Sequence, residues 1–469
     1  MKRRLRVYKK TVSIVNETAT GMYESLVGDK KGFLLESYDK NYDRYTFFGK
    51  ELEEIISSRG NALVITKNDG TQEVRNGNPL ERLKEYYSEF DIVKDNEELS
   101  FSGGLVGNLG YDFVRYAEVL PDNNPDEIGI ETVQMMLMTK FIMVDHVAET
   151  LTGIILGEDT PEGRKKSLEE AEELIRQALA NKGRAPEKNF THDGVIVNQS
   201  DSLEQYSQKV EKIKEYIREG HIFQTVLSQR WTIETKQSGF ELYKELRELN
   251  PSPYLYYFNY GDFEVIGSSP EMIVKQQGNR VYTCPIAGTR KRGADAEEDA
   301  LLRDELLQDE KERAEHVMLV DLARNDMGRI SAFGTVKVTQ FMEVQNYSHV
   351  MHIVSMVEGR KKGEFHPLDL VSSFLPAGTL SGAPKIRAME IIDELESVRR
   401  GLYGGATGYI DFSGDMDFCI TIRTMIKKGK RVYLQAGAGI VADSIPENEY
   451  QECCNKVMAL AKTLMHYIH

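Results

Sequence analysis

Pro376-Ala377-Gly378-Thr379-Leu380-Ser381-Gly382-Ala383-Pro384-Lys385-Ile386-Arg387-Ala388-Met389-Glu390 reads as a glycine-punctuated loop that opens a helix. Pro384 suits the first helical turn, where its missing N–H would have no intrahelical partner. Ser381 is the candidate N-cap, and Ile386, Met389 and Ile392 space out one apolar face. Gly378 and Gly382 allow backbone N–H groups to approach a ligand closely, and a helix start adds a positive field. With the Thr379 hydroxyl this makes a small anion cradle. An ordinary strand–helix connection has the same pattern, and this stretch alone favours the ordinary one.

Working outward, the chain has 469 residues, too many for one simple core, so two domains or one large duplicated one are expected. A hydrophobic content of 41% fits a folded globule rather than a disordered chain. The net charge of -15 argues against a nucleic-acid partner, which would need a basic face. The basic start, Met1 to Arg6, is followed by no apolar run and makes a poor signal peptide. Leu5, Val7, Val12 and Ile14 fit a first strand. Lys140 and Asp145 interrupt the best membrane candidate, Met135 to Val147, which reads as one buried strand. Cys284, Cys419, Cys453 and Cys454 have no zinc-site spacing, and a reducing cytoplasm with structural thiols is expected.

Residues 1 to about 155 are strand-rich, with an aromatic alternation at Arg44–Gly49 and a glycine-dense segment at Gly103–Asp112. Thr160 caps a helix that runs to Ala180 with Pro161 at its first position. The turn-rich Asn181–Glu187 segment marks a boundary, giving an N-terminal part, 1–187, and a second part, 188–469. Ser202 to Arg218 is helical and Gly220 stops it. Ile222–Ile233, Tyr254–Tyr260 and Phe263–Ser268 read as strands, Glu298–Asn325 as largely helical, and Glu447–Tyr467 as the last helix. The mixed order of elements predicts an α+β fold rather than a doubly wound sheet.

Glu312 and Glu315 share a helix face, as do Glu449 and Glu452, with Lys456 one turn further. Two such pairs suit a hard cation such as Mg2+, although acidic faces are usually solvated and 74 acidic residues make such pairs common. Gly437 and Gly439 end a strand, where their N–H groups form either a carboxylate nest or a tight packing corner. Arg423 interrupts an apolar strand, and burying it requires an anion; an edge strand turning it to solvent is the alternative. His352 in a strand has the pKa range for acid–base work, though such histidines are more often satisfied core residues. Glu271, alone, reads as a turn residue.

Together, Pro285–Arg290, Asp309–Asp326, Ser348–His352, the opening loop and Gln435–Ser444 resemble the chorismate-utilising enzymes, and within them the anthranilate synthase large-subunit (component I) family. The resemblance is strong over about 200–465 and reaches the N-terminal part through Leu34–Ser37, Arg44–Gly49 and 103–112. It implies large antiparallel sheets packed face to face and flanked by helices. It also implies a lyase that makes anthranilate and pyruvate from chorismate and ammonia, the committed step of tryptophan biosynthesis. By resemblance, Glu315 and Glu452 hold Mg2+, with Glu312 and Glu449 reaching it through water. Gly288, Thr289, Thr379, Tyr403, Arg423, Gly437, Ala438, Gly439 and Lys456 bind chorismate. Glu271 is the general acid, and His352 assists proton removal. Ser37, Pro253, Tyr254 and Leu255 match a tryptophan-feedback site, placed in 1–187 with contributions from the catalytic part.

Relatives that add water carry a lysine base where this chain has Gln224, which cannot act as a base. Ala287 stands where some aminodeoxychorismate synthases place a nucleophilic lysine, a weaker indication. No cysteine sits in a glycine elbow, so a separate glutamine amidotransferase subunit, and hence a hetero-oligomer, is expected to supply ammonia. The alternatives are an aminodeoxychorismate synthase component, which lacks the second elimination, and a non-catalytic module that binds chorismate or tryptophan.

Overall fold

The computed structural model describes residues 2–15, 17–37, 44–50, 53–94, 99, 101–180, 191–346, 350–363 and 365–465. Its frame is two large sheets of mixed helices-and-strands topology, confirming the α+β class. The first runs Val195–Gln199, Gln224–Glu234, Arg431–Ile440, Thr424–Lys428, Glu264–Ser269, Tyr254–Asn259, Gly32–Glu36, Tyr45–Lys50, Lys140–Asp145, Thr150–Glu158, Arg3–Ser13, Phe90–Val93. The second runs from Ile286–Lys291 through Val350–Arg360, Arg280–Thr283, Met272–Gln277, Met416–Ile420, Ala406–Asp411, Gly104–Leu109 and Val133–Met138 to Glu54–Ser58, Ala62–Lys67 and Gln72–Asn76. Pairing is antiparallel except where Phe90–Val93 joins Arg3–Ser13.

The strand period of two explains the layering. In Tyr254–Asn259, Tyr256 and Phe258 point into a core shared with Val106, Met136, Met138 and Cys419 of the second sheet. Leu255 and Tyr257 point the other way, onto the helices Leu203–Arg218 and Pro446–Ala461 through Tyr206, Val210 and Val457. The outer face of the second sheet is covered by Val320, Ala323 and Met327 of the Glu310–Ile330 helix and by Leu368 and Val371 of Pro367–Phe374. Strands apolar on both faces are what such a helix–sheet–sheet–helix stack demands.

Both sheets take strands from residues before 187 and after 188. The expected linker at 181–187 lies outside the described residues, as does the end of the last helix beyond residue 465.

Several helices start where their caps predict. Thr160 accepts from Gly163 N at 2.9 Å, and Ser202 closes a capping box with Gln205. Two expectations are corrected and one is refined. The run Met135–Val147 is not one strand: Val133–Met138 lies in the second sheet and Lys140–Asp145 in the first. Glu298–Asn325 is largely helical as expected, in two helices, Ala296–Gln308 and Glu310–Ile330, divided where Asp309 turns extended and caps the second through Lys311 N and Glu312 N. Ser381 is not the N-cap of the opening helix. Gly382 and Ala383 pair as a short strand with Gln224 and Thr225, so the helix begins at Lys385 after an extended Pro384.

Glu396 and Arg400 form a buried ion pair at 2.6 Å, each side chain 2% exposed. Arg400 also donates to Leu380 O at 2.6 Å and Val226 O at 2.9 Å, while Glu396 accepts from Ser228 N at 2.8 Å. The pair therefore ties the opening loop to the Gln224–Glu234 strand. Removing one partner strands a buried charge. Arg400→Met is expected to cost about 3–5 kcal/mol, read as a lower urea midpoint; a midpoint equal to wild type would refute the role given to this pair.

Candidate functional site

Two chain crossovers build the site. Pro270 and Glu271 carry the chain from Glu264–Ser269 in the first sheet to Met272–Gln277 in the second. Thr421, Ile422 and Arg423 carry it back from Met416–Ile420 to Thr424–Lys428. The crossovers are bonded to each other: Ile420 N donates to Glu271 O at 2.9 Å, Ser268 N to Arg423 O at 3.1 Å, and Ser269 Oγ to Ile420 O at 2.6 Å. Arg423 thus sits in a bend, not within a strand as its sequence context suggested, at a left-handed φ of 50°. Such backbone strain in a non-glycine residue is held by its surroundings.

The crossovers face a cavity of about 250 Å3. Its wall includes Glu271, Thr289, Glu315, His352, Thr379, Tyr403, Arg423, Gly437, Gly439, Glu452 and Lys456. The structure therefore brings residues from 271 to 456 together in one place. Two of the sequence-derived chorismate residues lie outside that wall, as do Glu312 and Glu449. Ala438 is fully buried, as expected for the alternate position in a strand, and Gly288 contributes its carbonyl to His352.

Burial separates the proton affinities. Desolvation pushes the Glu271 carboxyl up to about 8, against the opposing pull of the Thr379 hydroxyl, which donates to Glu271 Oε1 at 3.0 Å, and of Lys456. At neutral pH Glu271 holds its proton. Desolvation, helped by Arg423, moves His352 below the ordinary histidine value, while the Gly288 carbonyl opposes the shift. His352 Nδ1 lies 3.0 Å from Gly288 O and must donate to it, which makes Nε2 the basic nitrogen.

The charged groups are unevenly matched. Arg423 forms no ion pair among the described residues and feels Tyr403 and Glu452 only at a distance. Lys456 pairs with Glu452 at 2.6 Å and donates to Gly437 O at 2.8 Å. Because that carbonyl faces the cavity side, so do the N–H groups of Gly437 and Gly439, two residues apart. The two glycines lie inside Arg431–Ile440, paired with Ser228 and Val226, so they present an open strand edge rather than a nest. Pairing on the other side stops at Leu434.

Burial raises the Glu315 carboxyl, and the like charges of Glu312 and Glu452 add to this. Glu312 turns towards Arg290, 3.6 Å away. Among the described residues no group of three or more His, Cys, Asp or Glu side chains converges on a metal cage. Glu315 and Glu452 still fit Mg2+, which needs one or two carboxylates and takes its other ligands from water and substrate; their mutual repulsion is what a divalent cation relieves.

A second, smaller cavity of about 40 Å3 lies between Leu35, Glu36 and Ser37 of the N-terminal part and Pro253, Tyr254, Leu255, Asp417 and Cys419. Ser37 Oγ is buried there with no partner among the described residues, and Tyr254 OH donates to Asp417 at 2.8 Å.

The family described as chorismate binding enzyme matches residues 33–462. The chain belongs to that family. Among its relatives, anthranilate synthase component 1 of Acetivibrio thermocellus is 44% identical over 96% of this chain and 93% of its own length. That of Aquifex aeolicus is 42% identical over 92% and 88%. The solved anthranilate synthase component I of Streptococcus pneumoniae superposes with a TM-score of 0.78 at 39% identity, covering 89% of this chain and 92% of that one. The menaquinone-specific isochorismate synthase of Escherichia coli, at 17% identity and a TM-score of 0.73 over 98% and 95%, shares the fold. No helix among the described residues of this chorismate-binding enzyme is long and apolar enough to cross a membrane.

Sequence reading singled out Gln224 but missed the arginine behind the site. Gln224 Oε1 is buried at the cavity with no partner among the described residues, and Arg400 sits 5.7 Å from the Tyr403 ring. A glutamic acid four residues before an arginine is an ordinary surface pattern, so nothing local marked the Glu396–Arg400 pair. The Glu271 shift is checkable: infrared spectra should show a protonated carboxyl band lost on raising the pH through about 8, and absent in Glu271→Gln. A band unchanged by that substitution would refute the assignment.

Proposed function

We propose that this chain forms anthranilate and pyruvate from chorismate and ammonia as a lyase. Its relatives named anthranilate synthase component 1 support the reaction, and one observation carries it: an acid that keeps its proton and a base that stays neutral share a cavity with an arginine that has no counter-ion among the described residues. Chorismate is a dianion. Arg423, the Gly437–Gly439 strand edge and Tyr403 take its enolpyruvyl carboxylate, with Thr289 beside them. Glu315 and Glu452 would hold Mg2+, which would supply positive charge to the ring carboxylate. Lys456 keeps Glu452 in place.

Glu271 gives its proton to the C4 oxygen, which leaves as water while the ring double bond shifts and ammonia bonds at C2; the C2 ammonium then sheds one proton to solvent. Thr379 orients the Glu271 carboxyl. His352 Nε2 then takes the C2 proton as the ring becomes aromatic and the enolpyruvyl C–O bond breaks; the enol carbon gains a proton and pyruvate leaves. Gln224 offers an amide, not a base, to the nucleophile, which suits ammonia.

Ammonia comes from a glutamine amidotransferase subunit, the partner implied by a component 1. Burial pushes the thiols of Cys284 and Cys453 up to about 12 and raises Cys419 as well, the wrong direction for a glutaminase nucleophile. Tryptophan, the feedback inhibitor in this reading, binds at Ser37, Pro253, Tyr254 and Leu255 after those segments part.

With chorismate, Mg2+ and ammonium the chain should yield fluorescent anthranilate, and with glutamine in place of ammonium none. Accumulation of aminodeoxychorismate by mass would instead assign the sister reaction. Glu452→Gln should lower turnover by roughly 10²-fold or more, in line with lost charge stabilisation; wild-type turnover would exclude the metal role. Ser37→Phe should weaken tryptophan inhibition roughly tenfold or more, a change of about 1.4 kcal/mol; unaltered inhibition would remove Ser37 from the site.

A further inference from the structure

Glu271 lines two cavities. Besides the substrate-side space it borders a back cavity of about 40 Å3 between the Met272–Gln277 strand, the Glu310–Ile330 helix and the opening loop. Thr379 and Leu319 line both spaces as well, so Glu271 stands in the wall between them. That volume admits at least one ordered water, and Thr283, Thr379 and Glu271 provide polar partners for it.

Asp326 lines the back cavity and not the substrate-side one. It is paired with Lys385 at 2.7 Å, and the two side chains are 10% and 12% exposed. The pair therefore reaches solvent. The charged groups facing Asp326 are Lys385, from the helix after the opening loop, and Arg329, on its own helix. Burial raises the Asp326 carboxyl against both, so it takes up a proton more readily than an exposed aspartate. The reaction proposed above uses none of these groups.

We propose that Asp326, held by Lys385, relays protons from solvent to Glu271 across the back cavity. The proposal rests on Glu271 being the acid. After Glu271 has given its proton to the departing C4 oxygen, a carboxylate is left in a dry wall, which is costly. A water in the back cavity protonates it and takes a proton from the Asp326 carboxyl, which regains one from bulk water beside Lys385. No oxidation state changes; each turnover takes in one solvent proton on this side and gives one back from the C2 ammonium, so none is consumed overall. A rear supply lets the acid recover while the substrate-side cavity is still occupied. Asp326 touches neither substrate nor metal and is a positioning and relay residue.

The test uses the full chain with saturating chorismate, Mg2+ and ammonium. Asp326→Asn is expected to lower kcat about tenfold, less than the roughly 10²-fold or more of a group that transfers the proton to substrate directly, leave KM for chorismate unchanged, and recover with added formate buffer. Ala323→Leu, which fills the back cavity without altering a charge, should lower kcat in the same way. Asp326→Asn added to Glu271→Gln should cost nothing further. In wild type, the solvent deuterium proton inventory on kcat should be curved, indicating more than one proton in flight. A linear inventory, wild-type kcat in both single variants, or full additivity with Glu271→Gln would overturn the relay. Wild-type turnover in Glu271→Gln would instead overturn the assignment of the acid. Should Asp326→Asn fail to fold by thermal melting, the inventory and Ala323→Leu decide.

Discussion

The hydrogen bonds that join the two crossovers are the constraint on which the rest depends. Glu271 and Arg423 lie where the chain leaves one sheet for the other, and each crossover borrows backbone partners from its neighbour: Glu271 O from Ile420 N, Arg423 O from Ser268 N. A segment passing between sheets has left its own ladder, and its polar backbone groups need another home. Pairing one crossover with the other meets that need and fixes the spacing of an acid and a guanidinium at once. The left-handed φ of Arg423 is tolerated in that setting.

Burial then does opposite things to the two titrating groups. It holds the proton on Glu271 and takes it from His352, because in each case the charged form is the one that loses solvent. One low-dielectric wall thus prepares an acid and a base for the same pH range. The guanidinium and the acidic pair, all on one cavity wall, give it a polarity that a doubly charged ring can match. Behind it, Arg400 and Glu396 hold the opening loop against the Gln224–Glu234 strand, so the wall that carries Thr379 and Gln224 is rigid.

Local chemistry was legible where it was local. Thr160 and Ser202 announce their helices because a cap is a relation among residues three apart. Asp309 could have been read the same way, with Glu312 three residues on, but its surroundings favour helix on both sides. The split of the 133–145 run was invisible because both halves are apolar and buried, and sheet membership is decided by partners such as Leu105 and Phe48 far along the chain. Pro384 and Ser381 were misread for a like reason: Gly382 and Ala383 answer to Gln224 and Thr225. Arg423 and His352 were visible as polar interruptions of apolar strands, but Glu271 looked like a turn residue and Glu315 and Glu452 like ordinary acidic helix faces, so for these the family resemblance supplied the roles. That they meet at a pair of crossovers, with a second space behind Glu271, belongs to the three-dimensional arrangement.

The interleaving of early and late strands has a consequence for synthesis of the protein. Gly32–Glu36 waits for Tyr254–Asn259, and Gly104–Leu109 waits for Ala406–Asp411. A ribosome must therefore translate most of the message before either sheet can close, and the nascent chain carries unpaired, apolar strand edges for that whole interval. Cells making this enzyme quickly would draw on chaperones in proportion to that delay, and truncated transcripts would yield sticky fragments rather than a working half.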